Sequence, residues 1–298
     1  MHLAINMTMY PAQAQKQHDK QAWWLLIAVI YFNYTYAQIG AEAQGGQASL
    51  WTAIGIDQEI SKKWLSVTDL GFGRHSDPDN FSFLKRQGLN VATQDFIYKA
   101  NSHWHFTASF GYWRRNAYDD TAPFDSRAVP YQFRNEVRPF QKIYYLHKIR
   151  NIKVQHVFRT DYRFYYNQNF SDVWSTPFEF RARYMQAWKF PIDKEQKNWF
   201  IASDEVLSAI DQYSGTVAKI KNTNWSPYQI TENRFSVYYR RSFVEKKIDL
   251  DFGIMHQYWR EKPGVNTFNI SYNLMFDIII KDPFGKRKVE NVSGEGED

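Results

Sequence analysis

The chain has 298 residues, no cysteine and a formal net charge of +6, with 18% aromatic and 23% charged residues. The lack of cysteine excludes disulfides, thiolate metal sites, cysteine nucleophiles and a cysteine-linked lipid anchor. Basic residues are interspersed with acidic ones, so the charge does not indicate a nucleic-acid partner. Mean hydropathy is −0.60 despite the many aromatics, which calls for an architecture that separates polar from apolar side chains residue by residue.

The first element predicted along the chain is a signal peptide over residues 1–37. Two lysines precede the apolar run Ala22–Phe32, and a short polar stretch leads to Ala37, the predicted cleavage site for Sec-dependent export. The run has 11 residues, too few for a transmembrane helix. Because the basic region begins late, Met7 or Met9 is an alternative start. A buried strand or a membrane anchor is the competing interpretation of the run.

Short segments of alternating apolar and polar residues follow, separated by turn-forming residues, and this pattern predicts strands. Eleven segments have this character: 48–60, 63–74, 84–98, 103–115, 131–146, 153–165, 178–190, 198–208, 230–243, 247–259 and 266–280. Single-chain bacterial barrels have even strand numbers. We therefore expect ten or twelve strands, with the segment 131–146 split at Pro139.

The predicted fold is all-β, a single antiparallel up-and-down transmembrane β-barrel of ten to twelve strands within residues 38–281. Tight turns alternate with longer connections, the longest being 116–130 and 209–229, as in barrels with short periplasmic turns and long outer loops. No later segment approaches the ~20 apolar residues of a membrane-spanning helix. Residues 282–298 are predicted to be a charged, disordered tail.

Ionic residues alternate along the polar faces of the central strands. This predicted lumen-lining cluster comprises Arg134, Glu136, Arg138, Arg159, Asp161, Arg163, Glu179, Arg181, Arg183, Glu205, Glu232 and Arg234. One interpretation is that ion pairs fill and rigidify a narrow barrel. The other is a charged binding site or a selective pore. An arginine two residues away on the same face favours an ionised carboxylate, which argues against glycosidase-type acid catalysis.

The histidines do not form a known catalytic or metal motif. His103 and His105 lie two residues apart at a turn and a strand start, where solvated side chains are the simpler interpretation. His156 and His256 fall on faces that otherwise look lipid-facing. The chain contains no GxSxG, P-loop, GxGxxG or HExxH motif. We therefore expect no catalytic residue, no metal and no cofactor.

Several short segments together resemble the family called domain of unknown function 2490. They are Leu89-Asn90-Val91, Gln94-Asp95-Phe96, Gly111-Tyr112-Trp113-Arg114, Arg134-Asn135-Glu136-Val137-Arg138-Pro139, Arg159-Thr160-Asp161-Tyr162-Arg163-Phe164, Arg181-Ala182-Arg183-Tyr184, Asp204-Glu205 and Glu232-Asn233-Arg234. The resemblance covers roughly residues 48–280 and implies an outer-membrane barrel of Bacteroidetes and other Gram-negative bacteria. It implies no activity and no catalytic residues. The charged tail departs from barrels that end on an aromatic residue.

The sequence favours a non-enzymatic outer-membrane barrel, structural or accessory in role, or a narrow pore with an Arg–carboxylate lumen. Its expected partners are outer-membrane lipid and the barrel insertion machinery. One alternative is a lipid-modifying barrel enzyme, which requires His156 or His256 to lie beside a serine and a polar orienting group on the outer face, near the membrane edge. The other is a soluble periplasmic β-protein.

Overall fold

The structure is a computed structural model that describes residues 43–76, 85–118, 132–215, 224–260 and 268–285. The predicted signal peptide, residues 286–298 of the predicted tail, and large parts of the connections 116–130 and 209–229 lie outside the described residues. Eleven strands are described: β1 (Ala43–Glu59), β2 (Trp64–His75), β3 (Arg86–Lys99), β4 (Trp104–Ala117), β5 (Gln132–Ile149), β6 (Ile152–Tyr166), β7 (Val173–Pro191), β8 (Asn198–Gln212), β9 (Gln229–Phe243), β10 (Ile248–Arg260) and β11 (Phe268–Lys281).

The strands form one closed barrel in which each strand pairs with its sequence neighbours. Every neighbouring pair is antiparallel except the closing pair, β1 with β11, which is parallel and matches Thr52 with Phe276. The predicted β-barrel is therefore confirmed, and each predicted segment forms one strand. The step from eleven segments to ten or twelve strands was wrong. In an up-and-down barrel with an odd strand number, the first and last strands run in the same direction and must close in parallel.

The strand β5 is continuous, so the predicted split at Pro139 was also wrong. Pro139 pairs with Phe110 of β4. On the β6 side the pairs Val137–Phe164 and Phe140–Asp161 keep one register across the proline. Proline removes a backbone donor, and the ladders on its two sides hold the strand together.

Connections differ in length at the two ends of the barrel. At one end, here named the turn end, residues 60–63, 100–103, 150–151, 192–197 and 244–247 join successive strands. Arg150 adopts a positive φ of 59° in the two-residue turn between β5 and β6, as tight hairpins require. The opposite end, here named the loop end, has connections of six to sixteen residues, against two to six at the turn end. Among the described residues, no helix has the length and hydrophobicity needed to cross a membrane.

Burial alternates along the strands, with the polar face inside. On β10, Asp249 is 1% exposed, whereas Phe252 is 57% exposed. The same inversion occurs on β6, where Asp161 is buried and Phe158 is exposed. In a closed barrel the buried alternate residues face the lumen. The apolar core in the described part of the barrel is correspondingly small, with Leu89, Trp113 and Phe140 packed together at its centre.

Candidate functional site

The lumen wall formed by β5 to β9 carries the candidate site. Strand alternation places the predicted ionic residues on one face of each strand, and the antiparallel register brings them level with each other. Arg163 of β6 stands directly opposite Glu179 of β7. Glu205 of β8 stands directly opposite Arg234 of β9. Opposite charges therefore meet across strand boundaries as well as along each strand.

Glu136 is the most crowded carboxylate of this wall. Its side chain is 0% exposed and accepts hydrogen bonds from Nε of Arg138 at 2.6 Å and Nε of Arg163 at 2.8 Å. Nη2 of Arg163 also donates to the second carboxylate oxygen at 3.0 Å, which makes that pair bidentate. Nε of Arg115 lies 3.9 Å away. One negative charge is thus shared by three guanidinium groups, in the geometry that gives the strongest charge-assisted bonds.

The contacts continue from Arg163 around the wall. Arg163 also pairs with Glu179, which accepts a hydrogen bond from Nε of Arg181 at 2.6 Å. Nη1 of Arg181 lies 3.5 Å from Glu232, and Glu232 accepts a bond from Gln257 at 2.6 Å. This section of the wall therefore extends from β6 to β10, and β8 contributes no side chain to it.

The return path runs through β8 to β6. Glu232 pairs with Arg234, whose Nη1 lies 3.4 Å from Glu205. Glu205 lies 3.6 Å from Nη1 of Arg183, and Nε of Arg183 donates to Asp161 at 2.6 Å. Asp161 also accepts a 2.7 Å bond from Nε of Arg159.

Eleven of the twelve predicted ionic residues thus form one unbroken chain of alternating charge, here named the ion-pair network. In order, it runs Arg138, Glu136, Arg163, Glu179, Arg181, Glu232, Arg234, Glu205, Arg183, Asp161, Arg159. The twelfth residue, Arg134, packs instead over the ring of Tyr165 at 4.5 Å.

The network cross-links strands and is poorly arranged for acid–base catalysis. Each of its carboxylates contacts at least two guanidinium groups, whose N–H groups bind the carboxylate oxygens. A general acid must carry a proton at neutral pH. The arrangement instead fixes large side chains across the lumen through directional hydrogen bonds.

The sequence interpretation missed a second lumen cluster near the turn end. Arg240 binds Asp251 through two hydrogen bonds of 2.6 Å and lies 3.3 Å from Asp249. Lys281 also reaches Asp249 at 2.6 Å. The alternation of polar residues could have identified this cluster, because Arg240 lies six residues after Arg234 and therefore on the same face of β9. Arg115, which reaches the network at Glu136, was missed in the same way.

The two outer-face histidines contact tyrosine side chains. Nδ1 of His156 lies 2.8 Å from the hydroxyl oxygen of Tyr184. The ring of His256 packs on Tyr272 with centroids 5.3 Å apart. Within the described ranges, neither histidine is hydrogen-bonded to a serine, and no three His, Cys, Asp or Glu side chains are grouped as metal ligands.

Comparison with known proteins gives the chain a family but no activity. No curated protein matches the sequence. A family described as a protein of unknown function, DUF2490, matches residues 48–269. The match begins in β1 and ends in β11, so it includes all the residues of the ion-pair network. The resemblance inferred from the strand motifs is confirmed, and the chain belongs to the DUF2490 family.

Proposed function

We propose that this protein is an outer-membrane β-barrel with a structural or accessory role, whose lumen is narrowed by the ion-pair network. The observation that carries the proposal is the inverted burial of the strands, with charged residues inside and large apolar residues outside. Lipid is the solvent that favours this distribution, and a closed barrel leaves no strand edge unpaired in it.

An outer apolar surface extends around most of the barrel. Exposed large apolar side chains lie on every described strand except β8, and examples are Leu70, Phe96, Phe110, Phe158, Phe252 and Phe276. Soluble proteins rarely expose contiguous apolar patches above a few hundred Å². A bilayer would cover this surface, whereas water would leave it exposed.

Aromatic pairs are present at both ends of this surface. At the turn end, Trp64 packs on Tyr98 and Trp104 packs on Tyr145, with ring centroids 5.1 Å and 4.9 Å apart. At the loop end, the Tyr258 ring stacks on Phe268 at 4.4 Å. Aromatic girdles at the two interfaces are typical of outer-membrane barrels, because their rings combine an apolar body with a polar edge.

Cell fractionation tests the location. We expect the protein in the outer-membrane fraction, released only by detergent, with a faster gel mobility before heating than after it. Recovery in the soluble periplasmic fraction without detergent would contradict the proposal and favour a soluble β-protein.

Conductance of the purified barrel in planar bilayers tests whether the network narrows the lumen. We expect low conductance from the unaltered protein and a severalfold increase when Glu205 and Arg234 are both replaced by serine. This pair is partly exposed, and its neighbours keep other partners, since Arg183 retains Asp161 at 2.6 Å. Removing it shortens two side chains in the lumen and leaves the net charge unchanged.

A matched control removes an ion pair outside the lumen. Lys197 and Glu195 pair at 2.6 Å in the exposed turn between β7 and β8. Their double replacement by serine should leave conductance unchanged. Equal conductance in the unaltered protein and the Glu205–Arg234 variant would contradict a lumen narrowed by the network.

A further inference from the structure

A cavity opens on the lumen wall that the network does not cover. It has a volume of about 340 Å³ and is lined by residues of β1 to β4 and β11. Its lining is mainly apolar, with Trp51, Leu89 and Trp113 among the larger side chains, and it includes two carboxylates, Asp69 and Asp277. Its size falls at the lower end of the range for small-molecule sites, which combine apolar walls with a few polar groups.

Glycines on β1 and β2 are part of the cavity wall, and the one on β2 leaves room in it. Gly55 and Gly71 both line it. A Cβ added at Gly71 would meet only ordinary contacts, the nearest being 3.5 Å from Val91, so a longer side chain there would extend into the cavity. On β4, the Trp113 ring lies over Gly111, where a Cβ would come within 2.4 Å of the ring. Gly71 therefore leaves space that is open to the cavity, whereas the Asp69 carboxylate lies beside Gly55 and the Trp113 ring lies over Gly111.

The two carboxylates of the cavity differ from the other lumen carboxylates. Asp69 receives one long hydrogen bond, 3.4 Å from the Thr93 hydroxyl. Within the part of the chain that the structure describes, no lysine or arginine lies within ion-pair distance of either Asp69 or Asp277. By contrast, Asp95 binds Lys142 at 2.6 Å. Two half-buried carboxylates therefore face the cavity, and neither forms a direct ion pair with a side chain of the described ranges.

The tryptophan rings of the cavity lining can also bind a positively charged ligand. The faces of tryptophan rings attract cations, especially where water is partly excluded. Trp113 makes such a contact within the protein, because the guanidinium of Arg138 lies 3.6 Å from its ring centroid and occupies that face of the ring. Trp51 packs against the Leu89–Trp113–Phe140 cluster and lines the same cavity.

We propose that this cavity binds a small organic cation with an apolar or aromatic body, such as a quaternary ammonium compound or a protonated amine. The positive charge would pair with Asp69 and Asp277, and the body would fill the space that Gly71 leaves. An anion would be repelled by both carboxylates, and a neutral molecule would leave them unpaired. The proposal depends on the lumen geometry alone, and it holds wherever the barrel resides.

Calorimetric titration of the full-length, detergent-folded protein tests this site. The probes are benzyltrimethylammonium, benzyl alcohol and benzoate, which share a ring and differ in charge. We expect the cation to bind at least ~10-fold more tightly than the alcohol, a difference typical of one well-placed charge contact, and benzoate to show no binding. Equal affinity for cation and alcohol, or no binding of the cation, would overturn the proposal.

Variants locate the site by charge and by shape. Replacing both Asp69→Asn and Asp277→Asn should weaken cation binding at least ~10-fold. Gly71→Leu should weaken it comparably while keeping both carboxylates. Asp204→Asn is the control, because Asp204 lies on the opposite face of β8 from Glu205 and bonds Asn233 at 2.8 Å; it should bind like the unaltered protein. Unchanged affinity in either the double variant or Gly71→Leu would overturn the assignment, and bilayer conductance has no bearing on it.

Discussion

Replacing Glu136 with glutamine should destabilise the folded barrel by about 3–5 kcal/mol, the usual cost of breaking a buried ion pair from one side. Glutamine has nearly the same shape but carries no charge. Arg138 and Arg163 would then remain buried beside each other without their shared carboxylate, with Arg115 3.9 Å from the same position. Urea unfolding of the lipid-reconstituted protein, followed by the gel-mobility shift, measures this loss.

Glu59→Gln is the matched control for this substitution. Glu59 is exposed at the turn end, where its carboxylate lies 3.4 Å from Lys99. Exposed pairs contribute less than about 1 kcal/mol, so this variant should unfold close to the unaltered protein. If both variants unfolded at the same urea concentration, the lumen network would not contribute to stability as its geometry indicates.

The second large effect is expected on the outer face. Phe158 is 58% exposed near the middle of β6. If lipid covers this face, Phe158→Arg should cost about 2–4 kcal/mol, as arginine does at the midplane of other barrels. In water the same substitution would have little effect, because an exposed arginine is well solvated. Unfolding in lipid vesicles gives the free-energy difference.

The control for that measurement is the same substitution at one end of the barrel axis. Phe284 follows β11 at the turn end and is 81% exposed. Phe284→Arg should cost no more than about 1 kcal/mol, because charges near the interface are tolerated. A cost at Phe158 as small as that at Phe284 would argue that lipid does not cover the outer surface.

The two kinds of lumen carboxylate give the interior two different characters. Where carboxylates and arginines alternate, ion pairs cross-link the strands of the wall. These pairs fix one arrangement of the lumen side chains and also contribute to the stability of the barrel. Where Asp69 and Asp277 line the cavity, the wall is open, and neither carboxylate forms a direct ion pair within the described residues. One barrel interior therefore combines a rigid section with a section shaped to accept a ligand.

The sequence by itself determined the strands and their faces, because alternation has a period of two residues and can be read locally. The positions of the eleven strands follow from it, with β1 and β7 beginning five residues before the predicted starts at 48 and 178. It also predicted contacts between residues two apart, such as Arg138 with Glu136. These pairs need only a strand and an arginine long enough to reach its neighbour.

Only the tertiary structure decided how the barrel closes and which side chains meet across strands. The parallel pairing of β1 with β11 joins residues more than two hundred positions apart. The rule that barrels have even strand numbers implies an antiparallel closing pair, and that prediction was wrong. The bond from Arg163 to Glu136 depends on the register of β5 against β6, which no local pattern fixes. Asp69 and Asp277 line one cavity because barrel closure places β11 beside β1. The two residues are neighbours only once the sheet has closed.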